Sequence, residues 1–378
     1  MSIALQKTLS LILLIVIGIF LQKKLQNEDQ KKGLKTIILN IALPAMIFVA
    51  LLKIEINPDL LILPVLALIF NIVMIIITKL SLPFFGIKAD TPAMRTLMLL
   101  LPSLAPGLTC FPFIVEYLGD DVLAWAALAD IGNKLFVLVL AYLLAMSWYY
   151  KNQNLKAKSN SQKVKELLIA MVSEPINLVI LVAIMLLSFG VNMTSLPGFL
   201  SESILMMKEM MTPLVLLFIG IAVIFKWDQL RMISSILIFR AGLTFLLSGI
   251  FIWLAPLPSE AAILLAVVFP QSAVSFWPFA HMSAIRKFEY DNDSQKDNPT
   301  FDLELGINVL AVSMPFSTLL ILGIFTSGSY FTAPLHVISI GGLLVGAALI
   351  PKAIQLIKSA DFSFDSLREK VLKDSSVE

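Results

Sequence analysis

The 378-residue chain is 58% hydrophobic and only 14% charged, with a mean hydropathy of +0.90 and a formal charge of +2. Apolar usage this far above that of soluble domains excludes a water-soluble globular protein, and the near-neutral charge gives no reason to expect a nucleic-acid partner. A single cysteine, Cys110, excludes an intrachain disulfide, and His281 and His336 are too few and too far apart for a zinc motif.

A helix needs about 20 mostly apolar residues to cross a bilayer core. Ten such windows cover residues 3–21, 35–52, 59–81, 93–118, 121–148, 170–191, 199–225, 232–254, 260–284 and 302–327, and a weaker eleventh covers 336–356. The expected fold class is an all-α integral membrane protein of about ten transmembrane helices, with the eleventh window as an added C-terminal helix. No basic stretch precedes the first window, no small-residue cleavage site follows it, and Lys7 lies inside it. It is expected to remain as a span rather than leave as a signal peptide.

The loops alternate in charge. Lys23, Lys24, Lys31, Lys32 and Lys35 crowd the first. The third has Lys88 and Arg95, the fifth Lys151, Lys156, Lys158, Lys163 and Lys165, the seventh Lys226 and Arg231, and the ninth Arg286, Lys287 and Lys296. The second offers Lys53 beside Glu55 and Asp59, while the fourth, sixth and eighth carry only Asp120, Asp121, Glu202 and Glu260. Basic loops stay in the cytoplasm, which puts the N-terminus outside. The chain then divides into a first five-helix repeat at 1–148, a cytoplasmic linker at 149–169, a second repeat at 170–327, and a helix with a cytoplasmic tail at 328–378.

With five spans in each half, the halves enter from opposite sides, so a repeat between them is inverted. "GLTCFPF", residues 107–113, aligns without gaps on "AVSFWPF", residues 273–279, pairing Thr109 with Ser275 and Pro112 with Pro278. "NIALPAMIFVALL" from Asn40 aligns less closely with "EMMTPLVLLFIGI" from Glu209, pairing Pro44 with Pro213. A third likeness, "DIGNKL" from Asp130 against "ELGINVL" from Glu304, needs a one-residue slip and carries no weight.

Proline removes a helix hydrogen bond and clashes with the preceding turn. Non-helical backbone at membrane depth is tolerated only where it is buried in protein or lines a cavity. At about 1.5 Å per residue, Pro112 lies about 10 Å from the outer boundary and Pro278 about 12 Å from the inner one, both toward mid-depth. Residues 112–119 and 278–286 are therefore expected as half-helices whose starts present free N–H groups and a positive dipole end. Two such starts facing each other, with Thr109, Ser275 and Gln271 as neutral neighbours, would form an anion site. Proline kinks satisfied by neighbouring helices would explain each proline taken alone.

Charges inside the spans are costly and so are candidates for function. Asp130 lies about 15 Å into the fifth span, and Lys134 follows one turn later, where the two can neutralise each other. Arg240 has no carboxylate at helical spacing; it can attract an anion or pair with Asp130 from another helix. Lys208 has Glu209 beside it and Glu202 a turn or two earlier, and Glu116 and Glu174 sit near span ends, where long side chains reach the interface. Asn40, Asn71, Asn133 and Asn308 are residue types that hydrogen-bond helices together more often than they bind ligands.

These segments, "LNIALPAMIF", "FPFIVEYLGDD", "TPLVLLFIGIAV" and "FPQSAVSFWPFA" in this order, resemble the auxin efflux carrier family, over about residues 5–327. The resemblance implies two inverted five-helix repeats, with the fourth and ninth helices broken and crossing at Pro112 and Pro278. It implies a scaffold of helices 1, 2, 6 and 7, a transport core from the rest, and alternating access by their relative movement. On matching positions it puts substrate beside Thr109, Cys110, Gln271 and Ser275, and it implies a bacterial-type permease of the cytoplasmic (inner) membrane. Where the family usually has Gly-Asn, this chain has Ala105, Pro106 and Gly107.

The expected function is a secondary transporter for a small organic anion, with substrate contacts drawn from Thr109, Cys110, Pro112, Gln271, Ser275, Pro278, Asp130, Asn133, Arg240 and Asn308. A sodium-coupled symporter of the bile-acid type is the alternative, although Glu304 sits at the edge of its span rather than at a midplane cation site. Neither a metalloprotease HExxH, a nucleophile elbow nor an ATP-binding Gly-Lys-Ser/Thr loop is present, so enzyme function and ATP hydrolysis by this chain are not expected. No cofactor is expected; the expected partners are the organic anion and the lipid bilayer. Proton or sodium coupling and a homodimeric state are left open.

Overall fold

The computed structural model describes residues 3–25, 27–53, 58–152, 162, 165–166, 169, 173, 175–222, 230–255, 257–291 and 299–350. Most of the expected linker and the tail from residue 351 lie outside them, as do Glu174, Lys226 and Lys296. Among the described residues there are helices and no strands. Among the described residues, seven helices are long and apolar enough to cross a membrane, and three shorter apolar helices accompany them. This is the architecture of an integral membrane protein.

The helices follow the expected windows. They are α1 (Ile3–Leu21), α2 (Asp29–Leu51), α3 (Ile62–Ser81), α5 (Asp120–Asn152), α6 (Pro175–Ser188), α7 (Gly198–Ala222), α8 (Leu230–Leu254), α10 (Leu303–Thr326) and α11 (Pro334–Ile350). The fourth window is in pieces: α4a (Pro92–Leu100), α4b (Pro106–Thr109) and α4c (Phe111–Leu118). The ninth is split into α9a (Glu260–Val268), a 3-10 turn at Phe269–Gln271, and α9b (Phe276–Asp291). Among the described residues α11 ends at Ile350, and the rest of the eleventh window falls beyond them.

The position of the first break differs from the sequence expectation. The chain leaves the helix over residues 101–105, well before Pro112, because Pro102 and Pro106 lie four apart and each disfavours helix at the residue before it. Pro112 causes only a one-residue interruption at Cys110 (φ −124°, ψ −49°), and α4c resumes at Phe111. The second break covers residues 272–275 and is followed at once by α9b, with Pro278 in its first turn. Gly107–Thr109 is helical, but its aligned partner Ala273–Ser275 is not, so the two breaks are not in equivalent register.

Two further prolines lie at helix starts. Pro44 opens the second part of α2 after a π-helical turn at Ile38–Ala42, and Pro213 lies in the first turn of the second part of α7, Met211–Ala222. A second π-helical turn, Leu135–Leu140, interrupts α5.

α1 packs on α7, α2 on α6 and α7, α3 on α5, and α8 on α9a and α10. Small residues allow the closest of these approaches, as is usual where lipid removes the hydrophobic drive between helices. A Cβ on Gly220 would meet the Ile15 carbonyl and the Gly18 Cα, and one on Gly132 would meet the Pro64 carbonyl. α11 lies on α8 in the same way, through Gly341 against Gly242 and Ile338 against Gly249. Large apolar side chains such as Leu13, Leu80, Phe199 and Trp253 remain on the outside, where lipid would cover them.

Replacing Gly220 with Val should force α1 from α7 and cost about 1–3 kcal/mol, seen as a lower unfolding midpoint in detergent. Gly198→Ala, where a Cβ meets nothing within 4 Å, should leave the midpoint nearly unchanged; equal effects would contradict the backbone contact.

Candidate functional site

The two breaks meet. The Ala105 N–H donates to the Ala273 carbonyl at 2.8 Å. The Ala273 N–H donates to Thr109 Oγ1 at 3.0 Å, and the Ser275 N–H to Ser103 Oγ at 2.9 Å. The expected crossing of the fourth and ninth helices is therefore made by Ser103–Ala105 and Ala273–Ser275, with Pro112 and Pro278 buried farther along each half-helix.

Every backbone group of the first break has a partner. Arg240 Nε donates to the Leu101 carbonyl (2.7 Å) and Nη2 to that of Ser103 (3.3 Å). Asn71 Nδ2 donates to the Pro102 carbonyl at 2.7 Å, and Thr109 Oγ1 to that of Ala105 at 2.9 Å. Asn133 takes both groups of Leu104: Nδ2 donates to the carbonyl (3.0 Å) and Oδ1 accepts from the N–H (3.2 Å). The N–H groups of Leu101 and Ser103 return to Leu97 and Leu100. Four side chains from α3, α4b, α5 and α8 thus replace the missing helix, as lipid requires.

This geometry gives several of the candidate residues a partner. Thr109 is committed at both ends of its hydroxyl, bridging the two breaks. Arg240 is buried and holds peptide carbonyls; among the described residues neither of its hydrogen bonds goes to a carboxylate, and its pairing with Asp130 does not occur. Asp130 instead accepts from Asn133 Nδ2 (2.8 Å) and faces Lys134 Nζ at 3.6 Å, and Lys134 also donates to Asn177 Oδ1 of α6 at 3.2 Å. The two charges thus lie side by side along α5, close enough to offset each other. Asn71 and Asn133 do join helices, as their residue type suggests.

Gln271 closes the 3-10 turn before the second break. Its Nε2 donates to the Ala241 carbonyl at 3.3 Å, while its buried Oε1 has no partner among the described residues. Ser275 Oγ accepts from the Trp277 N–H at 3.4 Å. Cys110 is fully buried between α4b and α4c, and Asn308 is half-buried on α10. Hence Thr109, Ser275, Gln271, Asn133 and Arg240 converge on the two breaks, Asp130 is one hydrogen bond away, and Asn308 is not drawn in by any of these bonds.

Sequence reading passed over two contributors. Ser103 lies in the first break and reaches the second through its hydroxyl; the signal was its place between Pro102 and Pro106. Lys35, read only as a loop charge, puts its Nζ 5.0 Å from the centre of the Phe276 ring at the start of α9b. Phe276 and Trp277 there are exposed, as is Asn40 on the π-helical turn of α2. A narrow crevice runs between α3 and α8, lined by residues including Thr78, Ser81, Phe85 and Arg240.

No family model matches the chain, and no curated protein matches it.

Asn133→Leu keeps the volume roughly constant but orphans both backbone groups of Leu104. Each buried orphan costs about 1–3 kcal/mol, so this variant should lose far more thermal stability in detergent than Ser203→Ala, which removes an exposed bond within α7. A midpoint equal to that of the wild type would contradict the role given to Asn133.

Proposed function

We propose that the chain is a secondary transporter that moves a small organic anion across the membrane by alternating access, in the manner its resemblance to the auxin efflux carrier family implies. The observation that carries this reading is the contact between the two interrupted helices. A membrane protein meets a large cost for breaking two helices at depth, and in transporters such breaks place helix ends and polar groups around a solute. Here the breaks bring together α9b's N-terminal end, Gln271 with an uncommitted acceptor, and Ser275.

The charge around the breaks favours an anion. Asp130 and Lys134 offset each other, whereas the Arg240 guanidinium is met by carbonyl dipoles that leave its unit charge uncancelled. Lys35 adds a second cation at the start of α9b. The N-terminal dipole of α9b acts in the same direction.

The resemblance would divide the helices into two groups that move against each other. α1, α2, α6 and α7 pack on one another and would serve as the scaffold, with the broken helices and α3, α5, α8 and α10 as the moving core. The odd loops would face the cytoplasm and the N-terminus the outside. Sodium coupling would call for oxygens around a cation, and Asp130, the buried carboxylate nearest the breaks, already has the Lys134 ammonium beside it. A proton gradient or anion exchange fits this arrangement better.

Purified protein in proteoliposomes should exchange labelled mono- or dicarboxylates in counterflow, with saturation. Gln271→Ala and Ser275→Ala should reduce the rate at least about tenfold while eluting as folded protein. Absence of counterflow over the whole carboxylate panel would overturn the organic-anion reading.

A further inference from the structure

Three charges from three helices meet at the end of the molecule opposite the basic loops. Asp120 is the first residue of α5. Lys208 Nζ, from α7, lies 2.7 Å from its Oδ1 and 2.8 Å from its Oδ2. Lys53 Nζ, just past the end of α2, lies 2.6 Å from Oδ2. Sequence spacing pointed Lys208 toward Glu209, but the structure turns it across to another helix. The carboxylate is largely sheltered, with 15% of its side chain exposed, and that of Lys208 is 19% exposed, so solvent screens this pair less than an open surface pair.

The cluster lies at a joint. Gly119, directly before Asp120, has φ +87° and ψ −178°, a backbone conformation open essentially to glycine alone. It links α4c, beyond the first break, to α5. α7 is itself interrupted at Met210, two residues beyond Lys208. Both partners of Asp120 belong to helices assigned to the scaffold, and Asp120 to the core.

We propose that Lys53, Asp120 and Lys208 form a latch that holds scaffold and core together on the non-cytoplasmic face, keeping the outer path to the helix breaks closed. This rests on the alternating-access reading above. One carboxylate held by two ammonium groups ties α2 and α7 to α5 at a single point, so loss of Asp120 releases both contacts. The excess positive charge left on the two lysines then stands on the outer approach, where an incoming anion meets it.

Cys110, the only cysteine and fully buried beside the first break, reports on that path without any substitution. A membrane-impermeant maleimide is applied to the outer face of sealed cells, and the rate of Cys110 labelling is followed by mass shift. Asp120→Asn should raise the rate at least about fivefold, as expected when a closed state loses an ion pair that favours it. Lys53→Met with Lys208→Met should do the same, and Asp120→Lys with Lys208→Asp should return the rate toward that of the wild type. Each variant is first shown to be monodisperse in detergent. Outer labelling unchanged in both the Asp120→Asn and the double lysine variant would overturn the latch, as would equally fast labelling of the charge-reversed pair. No solute is involved, so failure of the latch shows here and failure of the anion reading shows in counterflow.

Discussion

Lipid supplies no hydrogen bonds to an exposed peptide, and the architecture of this protein follows from how it meets that constraint at one place. Residues 101–105 leave the helix deep in the protein. Their carbonyls are taken by Arg240, Asn71, Asn133 and Thr109, and their free N–H groups by Asn133 and the facing break. The need to bring those side chains to one point fixes how α3, α5 and α8 surround the fourth helix. Buried polar residues that look like a scattered excess along the sequence are, in the fold, the substitute for a missing turn and a half of helix.

The second break depends on the first. Its non-helical residues donate to hydroxyls of Thr109 and Ser103, so neither break is satisfied alone. Such mutual dependence rigidifies the crossing, whereas the surrounding helices are interrupted at Gly119, at Met210 in α7 and at the π-helical turns of α2 and α5. π-helical turns inside α-helices often mark functional positions, and within the one in α5 the Val137 carbonyl lies 2.9 Å from His281 Nε2. A rigid crossing inside a jointed surround would suit the alternating access proposed above.

The spans were legible in the sequence because apolar length is a strong signal, and each expected window contains a helix or a broken helix. The existence of two breaks was legible too, through proline at mid-depth. Their register was not. Pro112 stood out through its alignment with Pro278, yet Pro102 and Pro106 unwind the chain, since two prolines four apart remove bonds and disfavour helix before each of them. Asp130 with Lys134 could be paired from spacing along one helix. Arg240 with Leu101 and Ser103, or Lys208 with Asp120, could not, since partners 88 to 139 residues away leave no local trace. Thr109 was legible as a polar residue at the crossing, but its commitment to structure at both ends became visible only with the facing break in place.

The most direct test of the crossing is a cross-link through it. With Cys110 replaced by Ala, cysteines at Ser103 and Ser275 should form a disulfide under mild oxidation in native membranes, counted as the loss of two free thiols by mass. A pairing of Ser103→Cys with Ser203→Cys on α7 should not. Ready oxidation of the first pair alone is the predicted result; two free thiols persisting in it under conditions that oxidise exposed cysteines would show that the breaks do not meet.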